Sequence, residues 1–134
     1  MGASGEYEEG ELTGRILGAA IGVHTELGPG LLESIYVECL CFELRRRGIA
    51  IERQVPVRLR YCGVELEKRL VVDLVVEERV LVEVKAVAEL TALHAAQLRS
   101  YLRLGGYEVG LLLNFNAVVM REGIQRVRLG RWGG

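Results

Sequence analysis

The spacing of apolar residues changes character twice along the chain. Leu12, Ile16, Ala19, Ala20, Val23 and Leu27 recur at helical intervals, and "GPG" at 28–30 stops that run. A second helix opens with "LLESIYVECLCFELRRR" and ends before Gly48. Its apolar stripe is Tyr36, Val37, Leu40 and Leu44, and Glu33 begins the stripe, so the spacing turns Glu33 inward. From Ile49 the period falls toward two. "IAIERQVPVRLRY" alternates loosely, and Pro56 marks it as an edge or irregular strand. "YCGVE" supplies a turn, and "VELEKRLVVDLVV" and "RVLVEVKAV" read as strands rich in β-branched residues. Helical spacing returns in "TALHAAQLRSYLRL", which Thr91 is placed to cap and Gly105–Gly106 to close. "YEVGLLLNF" then reads as a buried strand and "GIQRVRL" as a short final one.

The order is helix, helix, three strands, helix, strand, strand. The central strands are apolar almost without interruption, so both their faces need cover. That predicts one α/β domain over residues 11–130, a central mixed β-sheet flanked by α-helices, with tails at 1–10 and 131–134. The first two strand connections are expected to be antiparallel. The helix near 91–104 is the expected crossover between parallel strands.

Composition narrows the setting more than the function. With 134 residues and 50% apolar content, the chain has enough material for a single core. The formal net charge of −1 names no partner. Glu6, Glu8, Glu9 and Glu11 crowd the start of the chain and leave the remainder mildly basic, which permits nucleic-acid binding. Cys39, Cys41 and Cys62 match no metal-binding spacing and read as reduced thiols. No apolar run reaches membrane length and no signal peptide is visible, so a cytoplasmic protein away from the membrane is expected. All bases are Arg except Lys68 and Lys85, and all acids are Glu except Asp73.

Two of those exceptions sit in "RLVVDLVVEERVLVEVKAV", residues 69–87, where Asp73, Glu83 and Lys85 interrupt the apolar runs. Glu83 and Lys85 are two apart on one strand and share a face between Leu81 and Val87. A three-residue turn at 77–79 pairs Val76 with Val80 and brings Asp73 opposite Glu83. A two-residue turn would send Asp73 to the other face. The three-residue register is the expected one. Two carboxylates side by side in a partly dry place need a cation, or one keeps its proton. Lys85 offers one charge, and Mg²⁺, with Mn²⁺ as its substitute, suits a pair of carboxylates. An internal salt bridge between strands is the competing use of the same residues.

On the later helix Gln97 and Tyr101 share a face, with His94 three residues before Gln97. A strand containing an acid followed by "EVK" has the form of the PD-(D/E)XK nuclease motif, with Val72–Asp73 in place of Pro–Asp. "GPGLLESIY", with Gly30, Glu33 and Tyr36, resembles the GxxExxY branch of that superfamily, and "AQLRSYLRLGGYEVGLLLNF" is similar to its helix and following strand. The resemblance spans roughly residues 12–129. It implies a restriction-endonuclease-like core and a site in which Asp73 and Glu83 bind Mg²⁺ or Mn²⁺. Glu33 is implied as a further acid and metal ligand, Gln97 as the polar residue of the later helix, and Gly30, Tyr36 and Tyr101 as supporting residues. The Val84 carbonyl is an added candidate ligand. Lys85 would orient water or stabilise developing charge.

The function expected on these grounds is metal-dependent phosphodiester hydrolysis, on DNA first and RNA second. The alternative is a non-catalytic nucleic-acid-binding or regulatory module that keeps the fold. Arg58, Arg60, Arg69, Arg99 and Arg103 are candidate phosphate contacts. A homodimer would match the two-fold symmetry of DNA.

Overall fold

The computed structural model describes residues 9–129. Two helices come first, α1 (Glu9–Leu27) and α2 (Glu33–Arg46). Three strands follow, β1 (Ile51–Tyr61), β2 (Val64–Val76) and β3 (Val80–Lys85). Then come helix α3 (Ala92–Gly105), strand β4 (Val109–Asn114), a 3-10 turn at Met120–Gly123 and strand β5 (Ile124–Arg128). Helix α1 starts at Glu9, two residues before the predicted domain start. The rest of the expected N-terminal tail, and the C-terminal tail at 131–134, lie outside the described residues. The 3-10 turn is the one element that hydrophobic spacing did not announce.

The five strands form one sheet in the order β1-β2-β3-β4-β5. Only β3 and β4 run parallel; the other neighbours are antiparallel. The crossover that parallel pairing requires is α3, as expected. Thr91 caps α3: its hydroxyl accepts from the His94 N–H at 3.3 Å, and His94 Nδ1 accepts from the Thr91 N–H at 3.0 Å. His94 thus completes the capping box at the start of α3. Gly106, at φ 82°, closes the helix in the left-handed conformation.

The sheet is covered on both faces, which explains its nearly unbroken apolar strands. Leu74, Val76, Val80, Val82, Val84, Leu111 and Leu113 pack with the stripes of α1 and α2. Val72, Val75, Leu81, Leu112 and Val127 pack with Ala95, Leu98 and Leu102 of α3. Val72 and Val75 lie in one core although they are three residues apart. Alternation is thus broken between them, at Asp73. The facing strand shows the same fault: Arg53 pairs Leu74 and Val55 pairs Val72, but Gln54 between them has φ 51°. The β1–β2 pairing is thus irregular where the acid sits.

Among the described residues no helix is long and apolar enough to cross a membrane.

The loop after β4 depends on a close backbone approach. A Cβ built on Gly123 would lie 2.2 Å from the Asn114 carbonyl oxygen and 3.0 Å from Ala117 Cβ. Neither neighbour is a flexible side-chain end, so the backbone itself would have to move. Gly123→Ala is expected to lower stability by about 1–3 kcal/mol in denaturant unfolding, the usual cost of overpacking. An unchanged unfolding midpoint would contradict this account of the loop.

Candidate active site

The turn after β2 decides the site. Val76 pairs Val80 and Leu74 pairs Val82, which is the register of a three-residue turn. Glu77 and Glu78 carry it at φ 51° and 59°. Glu77 is buried, and its carboxylate accepts from the Ala50 N–H at 2.9 Å, pinning the turn to the start of β1. This register puts Asp73 opposite Glu83.

Beyond the Leu74–Val82 pair, side chains take over from the backbone ladder. Asp73 Oδ2 accepts from the Val84 N–H at 2.8 Å, and Glu83 Oε2 accepts from the Asp73 N–H at 3.1 Å. Each acid thus satisfies a donor that the opened ladder leaves behind. The second oxygen of each carboxylate lies outside these two bonds. Strand alternation directs the Val84 carbonyl to the same gap. The Lys85 carbonyl faces β4, where it accepts from the Phe115 N–H at 2.9 Å, so its neighbour Val84 faces β2.

The electrostatics are those of a crowded acidic site. Burial chiefly, and the nearby Asp73 charge next, push the Glu83 carboxyl up to about 7. The Asp73 N–H and the Lys85 ammonium oppose that rise, and Glu33 adds to it. Burial also raises the Asp73 carboxyl, against the Val84 N–H and Lys85. Tyr101 is raised by burial and by the charge of Glu83, while its hydrogen bond to Gln97 works the other way. Asp73, Glu83, Lys85, Glu33, Tyr101 and Gln97 therefore occupy one neighbourhood. Asp73, Glu83, Lys85 and Tyr101 are half-buried, whereas Glu33 and Gln97 are exposed. The inward position that spacing predicts for Glu33 is corrected: it stands at the solvent edge of the site, in the first turn of α2, where a carboxylate suits the helix dipole.

Gly30 and Tyr36 act on the backbone that carries Glu33. The chain passes through Gly30 at φ 101°, a conformation costly for other residues. The buried Tyr36 hydroxyl donates to the Gly28 carbonyl at 2.6 Å and accepts from the Leu31 N–H at 3.0 Å. Its ring stacks on Phe115 with centroids 4.7 Å apart. The loop before Glu33 is thus held to the end of β4.

Two residues that hydrophobic spacing passed over complete this frame. Buried Asn114 accepts from the Val87 N–H at 3.0 Å and donates to the Val87 carbonyl at 3.0 Å. Asn116 donates to the same carbonyl at 3.3 Å and accepts from the Gly30 N–H at 3.1 Å. Together they tie the loops after β3 and β4 to the loop before α2. The signal was present in "LLLNFN", where two amides follow an apolar run.

Of the candidate phosphate contacts, Arg58, Arg60 and Arg69 are exposed on the β1–β2 hairpin. Arg99 and Arg103 are exposed on α3, away from its buried Ala95, Leu98 and Leu102.

The donor set fits a hard divalent cation in one way only. No group of three or more His, Cys, Asp or Glu side chains among the described residues is arranged to hold a metal. A cation here would rest on Asp73, Glu83, the Val84 carbonyl and water, the sparing protein ligation that Mg²⁺ accepts. Glu33 stands outside that set and would act on it through charge or water.

The raised acids make stability depend on pH when no cation is present. The folded state holds the Glu83 proton up to about pH 7, whereas the unfolded chain releases it near 4.5. Between those values the folded state binds more protons, so stability falls as pH rises and levels off above about 7. Asp73 contributes with the same sign. Urea unfolding in a chelator is expected to show this decline from pH 5 to 8, and Glu83→Gln is expected to flatten it. A wild-type profile that rises over this window would contradict the site's electrostatics.

Comparison with curated proteins and with solved structures returned no match. A profile of the PD-(D/E)XK nuclease superfamily matches residues 10–127, from the start of α1 to the end of the sheet. The match takes in both strands of the carboxylate pair and the helices beside them, and the chain belongs to the PD-(D/E)XK nuclease superfamily.

Proposed function

We propose that this protein is a metal-dependent nuclease of the GxxExxY branch that hydrolyses phosphodiester bonds, in DNA first and in RNA second. The observation that carries the reading is the Asp73–Glu83 pair at the point where the β2–β3 ladder opens, with Lys85 on the Glu83 strand opposing the rise of both carboxyls. Two acids held this close gain by sharing a divalent cation. Mg²⁺, or Mn²⁺ in its place, would supply Lewis-acid charge to the phosphate and to the attacking water.

The chain's own groups have separable tasks. Asp73 and Glu83 would hold the cation, with the Val84 carbonyl as a further ligand. Lys85 orients the attacking water or stabilises charge developing on the phosphate. Gln97, bonded to Tyr101, lines the α3 side, and Glu33 the α2 side. The free thiols Cys39, Cys41 and Cys62 support a reducing, cytoplasmic setting. A homodimer would let two such sites address the two strands of a duplex.

One observation favours a second reading, a non-catalytic nucleic-acid-binding module. Both acids already cap backbone donors, so they have a structural use without a cation. Lys85→Met separates the two readings. If Lys85 stabilises the transition state, cleavage in Mg²⁺ or Mn²⁺ is expected to fall at least about 100-fold while Mn²⁺ binding by calorimetry survives or tightens. If Lys85 is only a counter-charge, the loss appears chiefly in melting temperature and added metal restores it. Unchanged cleavage in a folded Lys85→Met protein would remove the lysine from the chemistry. Glu83→Ala is the control that abolishes metal binding and cleavage together.

A further inference from the structure

The β1–β2 hairpin continues well past the core. β2 is exposed at every position from Val64 to Arg69, a length of about 20 Å out to the tip when Leu70 is counted. Facing it, Arg58, Arg60 and Tyr61 are exposed and Leu59 is only half-buried. A Cys62–Gly63 turn joins the strands, with both residues at positive φ, the conformation that tight hairpins need. Beyond Val57 and Leu70, no residue of this ribbon belongs to either core.

A two-stranded ribbon exposed on both faces stabilises little by itself. Its side chains make that worse. Arg58 lies directly opposite Arg69, and like charges at that position destabilise a strand pair. Glu65 is the local answer, 3.8 Å from Arg58 and 3.7 Å from Arg69, but all three are exposed enough for water to screen the pairs. Arg60 pairs Glu65 across the strands, and Lys68 adds another cation. Arg58, Arg60, Lys68 and Arg69 outnumber Glu65 and Glu67 along the ribbon, and Arg58 and Arg69 share the single Glu65 carboxylate.

We infer that the β1–β2 ribbon is an arm that docks on duplex nucleic acid, with Arg58, Arg60, Lys68 and Arg69 on backbone phosphates. The inference rests on the nuclease reading for its place beside the site: Arg69 is four residues from Asp73 on the same strand, about 13 Å. A two-stranded ribbon fits the width of a DNA major groove. Single strands are bound on aromatic platforms, and Tyr61 is the one aromatic residue between Ile49 and Val87. Self-pairing with a second copy along β1 is opposed by its edge. Pro56 lacks a donor, Gln54 breaks the strand geometry, and Glu52, Arg53, Arg58 and Arg60 charge it.

The test measures binding without turnover. The full chain in a chelator is titrated into a labelled duplex of about two helical turns, and separately into one of its strands, by fluorescence anisotropy across a salt series. Arg58→Gln/Arg69→Gln is expected to weaken duplex binding at least about tenfold and to lower the slope of log K against log salt by about 1.8. Arg58→Lys/Arg69→Lys is expected to retain most of both. Because these residues are exposed, melting temperature should hold. Duplex affinity and slope unchanged in the double Gln variant would overturn the inference, as would tighter binding of the single strand through the same residues. A wild type that binds no duplex at low salt, with a dimer that the Gln variant dissociates in sedimentation, would overturn it in favour of self-association. Ribbon-dependent duplex binding by a protein that cleaves nothing in Mg²⁺ or Mn²⁺ would uphold the arm and sink the nuclease reading.

Discussion

Asp73 and Glu83 repel each other, and the structure around them is organised by that repulsion. Two acids facing across adjacent strands, partly out of water, are costly when both are ionised. The protein keeps the cost bearable with fixed donors. The Asp73 and Val84 amides, released where the ladder opens, each meet one carboxylate. Lys85 adds a positive charge on the same strand. The compensation is incomplete, since the Glu83 carboxyl still rises to about 7. The pair is left short of positive charge after its own donors are used.

The pair sits where strand alternation is interrupted. Alternation breaks at Asp73 and at Gln54 opposite, so the acid can reach β3 while its neighbours stay in the two cores. The buried Glu77 anchors the turn that sets the register. A slip of one residue there would place Asp73 and Glu83 on opposite faces and dissolve the site.

The outer wall is loop backbone held in place by buried side chains. Gly30 turns the chain, Tyr36 ties the turn to itself and to Phe115, and Asn114 and Asn116 knit three loops together. The glycine and the tyrosine shape the loop that leads into α2, whose first residue is Glu33.

Hydrophobic spacing by itself determined the order of helices and strands, the antiparallel first hairpins and the crossover by α3. It did so because each element buries a periodic face. It also marked Asp73, Glu83 and Lys85, since a charge among valines breaks a strong local pattern. Tertiary structure decided what local pattern does not encode. The pairing of Val76 with Val80 and the bond from the Ala50 N–H to the buried Glu77 carboxylate fix the three-residue turn. Glu33 lies on the apolar stripe by spacing yet is exposed in the first turn of α2, where burial begins only at Tyr36. The amides of Asn114 and Asn116 find partners 27 and 86 residues away, and only the folded chain brings those backbones within reach.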